Sequence, residues 1–277
     1  MLIETILNQY DSWQLTEPLL APPEIVNHLT RGTTHRAVKV CGPTASGSRC
    51  FVIRYASRDL ATLAMPPEHE RRVMQQACSM GLAPRLVHWH DNARVTVSEF
   101  VNGHMDTPDP ALLGQTLRRI HELPIKADPI SLSTHLQRYT SHAIERGVAP
   151  EQLIDPNFEP LARAISLLES SAPVLCHNDL GRGNLIITGE QAVVIDWEYA
   201  AMGNRYFDLA AATAGWPELD PGAVIAAAIP RDFSPMEWQA ALGVYAAIEW
   251  NWYQASGLPM PEHLSADALV ERLNSLP

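Results

Sequence analysis

The sequence predicts an α+β protein of two lobes, and three observations carry that prediction. The first third holds two apolar strands separated by a strong turn, with a single helical stretch after them. From Pro110 onward the periodicity is helical, and one β-hairpin at residues 185–195 interrupts it. This asymmetry places a β-rich lobe over residues 1–100 and a mainly helical lobe over 101–277, joined near Glu99–Gly103.

A chain of 277 residues, 46% hydrophobic and 18% charged, has enough apolar material for such cores. Its net charge of −11 argues against an extended nucleic-acid footprint and suits a cationic ligand. Cys41, Cys50, Cys78 and Cys176 form neither a CxxC pair nor a metal spacing, and read as reduced thiols of a cytoplasmic protein. The acidic start MLIETILNQYDSW lacks the basic region of a signal peptide. The apolar stretch AVIAAAIP is far shorter than the about 20 residues that span a bilayer, so no membrane association is expected.

Residues 1–30 read as an amphipathic start followed by a Pro-rich loop at 17–23. Residues 36–40 and 49–55 read as strands joined by the turn Gly42-Pro43-Thr44-Ala45-Ser46-Gly47-Ser48. Over 68–80, Val73, Ala77 and Met80 share a helical face, and Gly81 stops the helix. Strands at 85–88 and 94–100 complete the lobe.

The chemistry concentrates in residues 174–198. Residues 185–188 and 192–195 are apolar strands around a turn at 189–191, so the chain returns to where the hairpin began. Asn184 and Asp196 therefore sit together at the open end and offer oxygen ligands suited to Mg²⁺. Asp179, on a Gly-rich loop five residues before Asn184, is placed to accept the proton of an attacking hydroxyl. No Gly-x-Ser-x-Gly elbow or HExxH pair supports a hydrolase.

His177-x-Asp179-x-x-x-x-Asn184, followed by Ile195-Asp196-Trp197-Glu198, resembles the motifs of the aminoglycoside phosphotransferase/choline kinase superfamily. Tyr199-Ala200, Asn204 and Phe207-Asp208-Leu209-Ala210 extend the likeness toward the choline, ethanolamine and thiamine kinase branch. The resemblance implies a bilobal protein-kinase-like fold and a kinase that uses ATP and Mg²⁺ on a small, cationic alcohol. It assigns Asp179 as base, Asn184 and Asp196 as metal ligands, His177 as a brace of the catalytic loop and Asp208 as a clamp beneath it. An aminoglycoside or sugar kinase on the same fold is the alternative, and a non-catalytic nucleotide-binding regulator is the third reading.

The same resemblance assigns the nucleotide half. Residues 29–36 resemble a phosphate-covering loop that includes Gly32, Thr33 and His35, the last where many relatives carry Asn. Arg54 is the cation for the phosphates, with Glu70 as its partner and Glu68 as the rival. Backbone groups of Glu99 and Val101 would bind adenine.

For the acceptor, Tyr245, Glu249 and Trp252 share one helical face and Trp250 and Tyr253 another. Aromatics beside a carboxylate hold cations, and they also pack ordinary cores; both readings stand at this point. Glu198, Trp197 and Trp216 are the further candidates for this pocket, and His121 reads as structural.

Overall fold

A computed structural model of the protein describes residues 2–29, 35–56, 67–90, 95–261 and 264–277. In chain order its elements are α1 (Leu2–Asn8), β1 (Glu24–Leu29), β2 (His35–Thr44), β3 (Gly47–Ala56), α2 (Pro67–Ser79), β4 (Leu86–His90) and β5 (Val95–Glu99). Then come α3 (Pro110–His121), α4 (Leu132–Glu145), α5 (Glu159–Ser170), β6 (Val174–Cys176), β7 (Leu185–Thr188), β8 (Gln191–Val194) and β9 (Ala201–Gly203). Helices α6 (Arg205–Gly215), α7 (Pro221–Ala228), α8 (Pro235–Ser256) and α9 (Ala266–Asn274) complete the chain. The β-rich beginning and helical remainder match the protein-kinase-like fold that the motifs imply. Among the described residues no helix is long and apolar enough to cross a membrane.

The chain divides into two compact units: Met1–Met105 with Leu185–Glu198, and Asp106–Asn184 with Tyr199–Pro277. The β7–β8 hairpin, which the sequence places after residue 100, counts by its contacts with the first unit.

In the first unit, five antiparallel strands pair in the order β1-β2-β3-β5-β4. Side chains alternate across a pleated sheet, so Val38, Val40, Phe51, Ile53, Val95 and Val97 all fall on one face and are fully buried. β1 is absent from the sequence reading because its burial shows no alternation: it is an edge strand whose first five residues are exposed. β2 and β3 run further than the apolar pattern suggests, pairing out to Thr44↔Gly47 and leaving a two-residue turn. The same register sets Cys41 opposite Cys50, and the two form a disulfide. The reduced-thiol expectation is thus wrong for this pair and holds for Cys78 and Cys176. Linear spacing concealed it, because a sequence separation of 9 becomes a direct cross-strand contact only once the hairpin register is fixed.

The β7–β8 hairpin pairs from Leu185↔Val194 to Thr188↔Gln191, so its turn has two residues rather than three. Gly189 occupies that turn at φ 69°, a left-handed conformation that favours glycine.

The second unit packs around α8, a 22-residue helix in contact with α4, α5, α6 and α9. Ser234 caps its start by accepting a hydrogen bond from the Glu237 amide, and Gly257 ends it at φ 65°. Buried Asn251 ties α8 to its surroundings, donating to Thr140 Oγ1 and the Ile154 carbonyl and accepting from the Ile154 amide.

Candidate active site

Each unit carries its own set of charged residues. In the first, Arg54 lies on the central strand β3, forms an ion pair with Glu70 at 2.8 Å and donates to Asp196 at 2.6 Å. Burial works against the guanidinium charge, but Asp196 and Glu70 outweigh it and hold Arg54 more firmly cationic than a free arginine. Glu70 shares the inward face of α2 with Val73, Met74 and Ala77, all buried, whereas Glu68 is exposed. That settles which glutamate pairs with Arg54. Burial raises the Glu70 pKa to about 7, against the opposing pull of Arg54.

Asp196 leaves the hairpin at φ 65°, a left-handed turn that Asp tolerates better than most residues and that ends β8 at Val194. Beyond it Glu198 is buried, 3.4 Å from His35 Nδ1 at the start of β2. The chain therefore sets Glu198 in the first unit beside His35, and it is not among the residues that line the cavity described below. Trp197 is fully buried and donates its indole N–H to the Val194 carbonyl, so it is core. Gly32 and Thr33 lie outside the described residues.

In the connecting segment the Glu99 amide donates to the Arg85 carbonyl and the Phe100 amide to the Cys50 carbonyl. Of the Glu99 backbone, only the carbonyl is thus a candidate for adenine; Val101 offers its amide. The Glu99 side chain accepts from Arg49 and Arg85 and braces this end of strand β5.

In the second unit β6 pairs with β9 and delivers the loop His177-Asn178-Asp179. Asp208 on α6 holds that loop: its carboxylate accepts from the His177 amide at 3.1 Å, the Asn178 amide at 2.7 Å and His121 Nε2 at 2.9 Å. Burial alone would raise the Asp208 pKa, but His121, His177 and the amides bring it below the usual carboxylate range. Asn178 takes φ 63°, a conformation these two amide bonds support. His177 is fully buried, consistent with a brace.

Asn184 donates its amide nitrogen to the Asp179 carbonyl at 2.8 Å and the Asp179 carboxylate at 3.0 Å. Both contacts use nitrogen, which makes Oδ1 the atom that Asn184 would offer a metal.

Asp179 also lines a cavity of about 290 Å³ with Arg182, Gly215, Tyr245, Glu249 and Tyr253. Burial, then the charges of Glu249 and Asp179, push the Tyr245 and Tyr253 phenols up, so both remain neutral hydroxyls. Arg182 pairs with Glu218, which also accepts from Thr107 at 2.8 Å. Of the aromatics expected here, Trp250 is elsewhere: it packs on Ala246, Leu264 and Leu269 and donates to the Gln152 carbonyl. Trp252 sits edge-on to Tyr253 at 4.9 Å and is absent from the lining, and Trp216 is buried between two residues that do line it. Arg182 is a member that sequence reasoning missed, and Tyr253 was set there on a different helical face from Glu249. The signal for Tyr253 was its i+4 spacing from Glu249.

The model of the phosphotransferase enzyme family matches residues 31–246. A LicA homolog from Mycoplasma capricolum is 26% identical over 130 residues, 46% of this chain and 52% of the relative. The chain thus spans about half the length of the curated relatives it matches. Among solved structures, choline kinase LicA from Streptococcus pneumoniae aligns with a TM-score of 0.69 at 17% identity, covering 100% of this chain and 99% of that one. LicA in complex with AMP aligns at 0.67 and 17% identity, covering 99% and 97%.

Proposed function

Because the chain belongs to the phosphotransferase enzyme family, we propose that it transfers the γ-phosphoryl group of ATP to the hydroxyl of a small cationic alcohol of the choline, ethanolamine or thiamine type. The observation that carries this reading is the cavity in which Asp179, Glu249 and two tyrosines meet. A hydroxyl presented to Asp179 leaves the cationic end of the same small molecule toward Glu249 and the ring faces of Tyr245 and Tyr253.

Asp179 accepts the hydroxyl proton as the oxygen attacks, while the Asn184 amide nitrogen holds the Asp179 carboxylate in place. Asp208 fixes the backbone beneath that carboxylate through the His177 and Asn178 amides. Arg54 is the cation for the phosphates, and the Glu99 carbonyl and Val101 amide receive the adenine edge. Oxygen donors of the Asn184 and Asp196 kind fit Mg²⁺, which when bound offsets the charge of the phosphates. ATP as donor puts the reaction in the cytoplasm.

An aminoglycoside carries several ammonium groups, whereas Asp179 and Glu249 are the two acids that line this cavity, with Arg182 beside them. That balance favours a smaller cation. The test is ADP release from ATP and Mg²⁺ over a panel of choline, ethanolamine, thiamine, kanamycin and neutral sugars. Turnover confined to the first three supports the reading; turnover confined to kanamycin or the sugars sinks it.

A further inference from the structure

Helix α6 and the turn after it meet the loop that carries Asp179 at three successive points. Asp208, in the first turn of α6, accepts from the His177 and Asn178 amides. Gly215, the last residue of α6, lies two turns further on and about 20° around the helix at 100° per residue, so it faces the same loop. Just beyond, Glu218 accepts from Arg182. Asp179 stands between the first point and the second. From this arrangement we propose that Gly215 is a positioning residue: its missing side chain lets the α6 backbone seat the loop at Gly181, and that seat sets how far Asp179 reaches into the cavity.

Contact, rather than conformation, requires glycine here. The backbone at Gly215 is that of a helix end and not left-handed, so alanine would fit it and favour the helix. A Cβ on Gly215, however, would stand 2.8 Å from Gly181 Cα, with the Leu180 carbonyl oxygen at 3.5 Å and the Arg182 amide nitrogen at 3.6 Å. All three are backbone atoms, so no change of rotamer relieves the clash. Carbon atoms rest against each other at about 3.5–4.0 Å, so the loop would have to retreat by roughly 0.7 Å or more. The demand lies on the helix side alone, because a Cβ on Gly181 would meet nothing nearer than Gly215 Cα at 3.9 Å.

The points of attachment differ in weight. Asp208 is fully buried and fixes where the loop begins. Asn184 fixes where it ends, donating its backbone amide to the Gly181 carbonyl at 3.0 Å and its side-chain nitrogen to the Asp179 carbonyl at 2.8 Å. Arg182 and Glu218 are both exposed, and ion pairs of that kind hold little. Between the two ends, the firm contact is therefore the one at Gly215. A misplacement on the order of 1 Å can cost 10²-fold in rate, so a shift of this size is visible in kcat. The inference rests on the reading of Asp179 as the base.

The test is steady-state kinetics of the full chain with ATP, Mg²⁺ and the acceptor turned over fastest in the panel above. Gly215→Ala should lower kcat by about 10- to 100-fold and leave the KM for ATP within about threefold. The same substitution made on Asp179→Asn should lower kcat by less than about threefold, because the group it misplaces is already gone. Damage to the helical unit as a whole would persist in both backgrounds. An Asp179→Asn variant with wild-type kcat removes the reading of Asp179 as base, and this inference with it. An impaired Asp179→Asn beside a fully active Gly215→Ala overturns the positioning alone. So does a Gly215→Ala that raises only the acceptor KM, which is the mark of a crowded cavity wall, or one whose kcat loss survives on Asp179→Asn. A Gly215→Ala that circular dichroism shows to be unfolded also overturns it, since the contact would then support the whole unit rather than the loop.

Discussion

The two units handle buried charge in opposite ways. In the first, Arg54 pairs with both Glu70 and Asp196, and Glu198 lies against His35. In the second, Asp208 is fully buried, but its bonds serve the backbone of a loop and leave Asp179 at the wall of a cavity with Glu249. The difference teaches where to look for binding and where for chemistry. A network of mutual ion pairs fixes positions, whereas a carboxylate delivered to a cavity by a braced loop is placed to accept a proton under the proposed function.

Breaking the chemistry side gives the largest effect. Asp179→Asn should lower kcat by about 10²–10⁴-fold, the contribution of a positioned base, while ATP binding stays near wild type. Survival of activity within about threefold shows that Asp179 is not the base. Breaking the network side should appear as lost stability instead. Arg54→Ala leaves buried Glu70 and half-buried Asp196 without this partner and should cost about 3–5 kcal/mol by urea denaturation. A loss under about 1 kcal/mol shows the network to be solvated and weak.

Acid separates the units by sign. Glu70, raised to about 7, favours folding most below its unfolded value, and that contribution is lost as pH rises through 7. His135 on α4 is lowered to about 4 by burial and by the nearby Arg138 charge. Its contribution is present above the unfolded histidine range and lost as pH falls toward 4. Hydrogen exchange followed from pH 7 to 4.5 should therefore loosen α4 before the β2–β3 sheet, and His135→Gln should flatten the response. Equal loosening of both regions contradicts the assignment.

The smallest effect separates wall from core. Tyr253→Leu removes a ring face from the cavity and should raise KM for a cationic alcohol several-fold to about 30-fold, with KM for ATP unchanged. Trp250→Leu should leave the acceptor KM alone and lower stability, because its ring packs on Leu264 and Leu269. The reverse pattern would restore Trp250 to the site.

That last pair marks how far the sequence was legible. Residues 249 and 252 share a face at i+3, and 249 and 253 share one at i+4, about 60° and 40° apart at 100° per residue. Both pairings satisfy helical spacing; tertiary packing puts Tyr253 rather than Trp252 in the lining, and that lies outside the sequence of α8. Glu70 over Glu68 was legible in principle, since Glu70 alone falls in phase with Val73 and Ala77. The hairpin at 185–195 was readable because its strands are continuously apolar around a glycine. The Cys41–Cys50 bond was not, because it depends on register rather than spacing. Nor was the environment of Glu198: two residues beyond Asp196, it looks outward in sequence and is buried against His35 in the fold.

The claim that Asp179 and Glu249 serve two ends of one small cation is tested most directly by a paired measurement of kcat/KM. Choline is compared with 3,3-dimethylbutanol, its uncharged isostere, in wild type and in Glu249→Gln. The account predicts that wild type favours choline by about tenfold or more, and that the preference falls to within about threefold in the variant while the neutral alcohol is turned over as before. A preference for choline that persists undiminished in Glu249→Gln would contradict it.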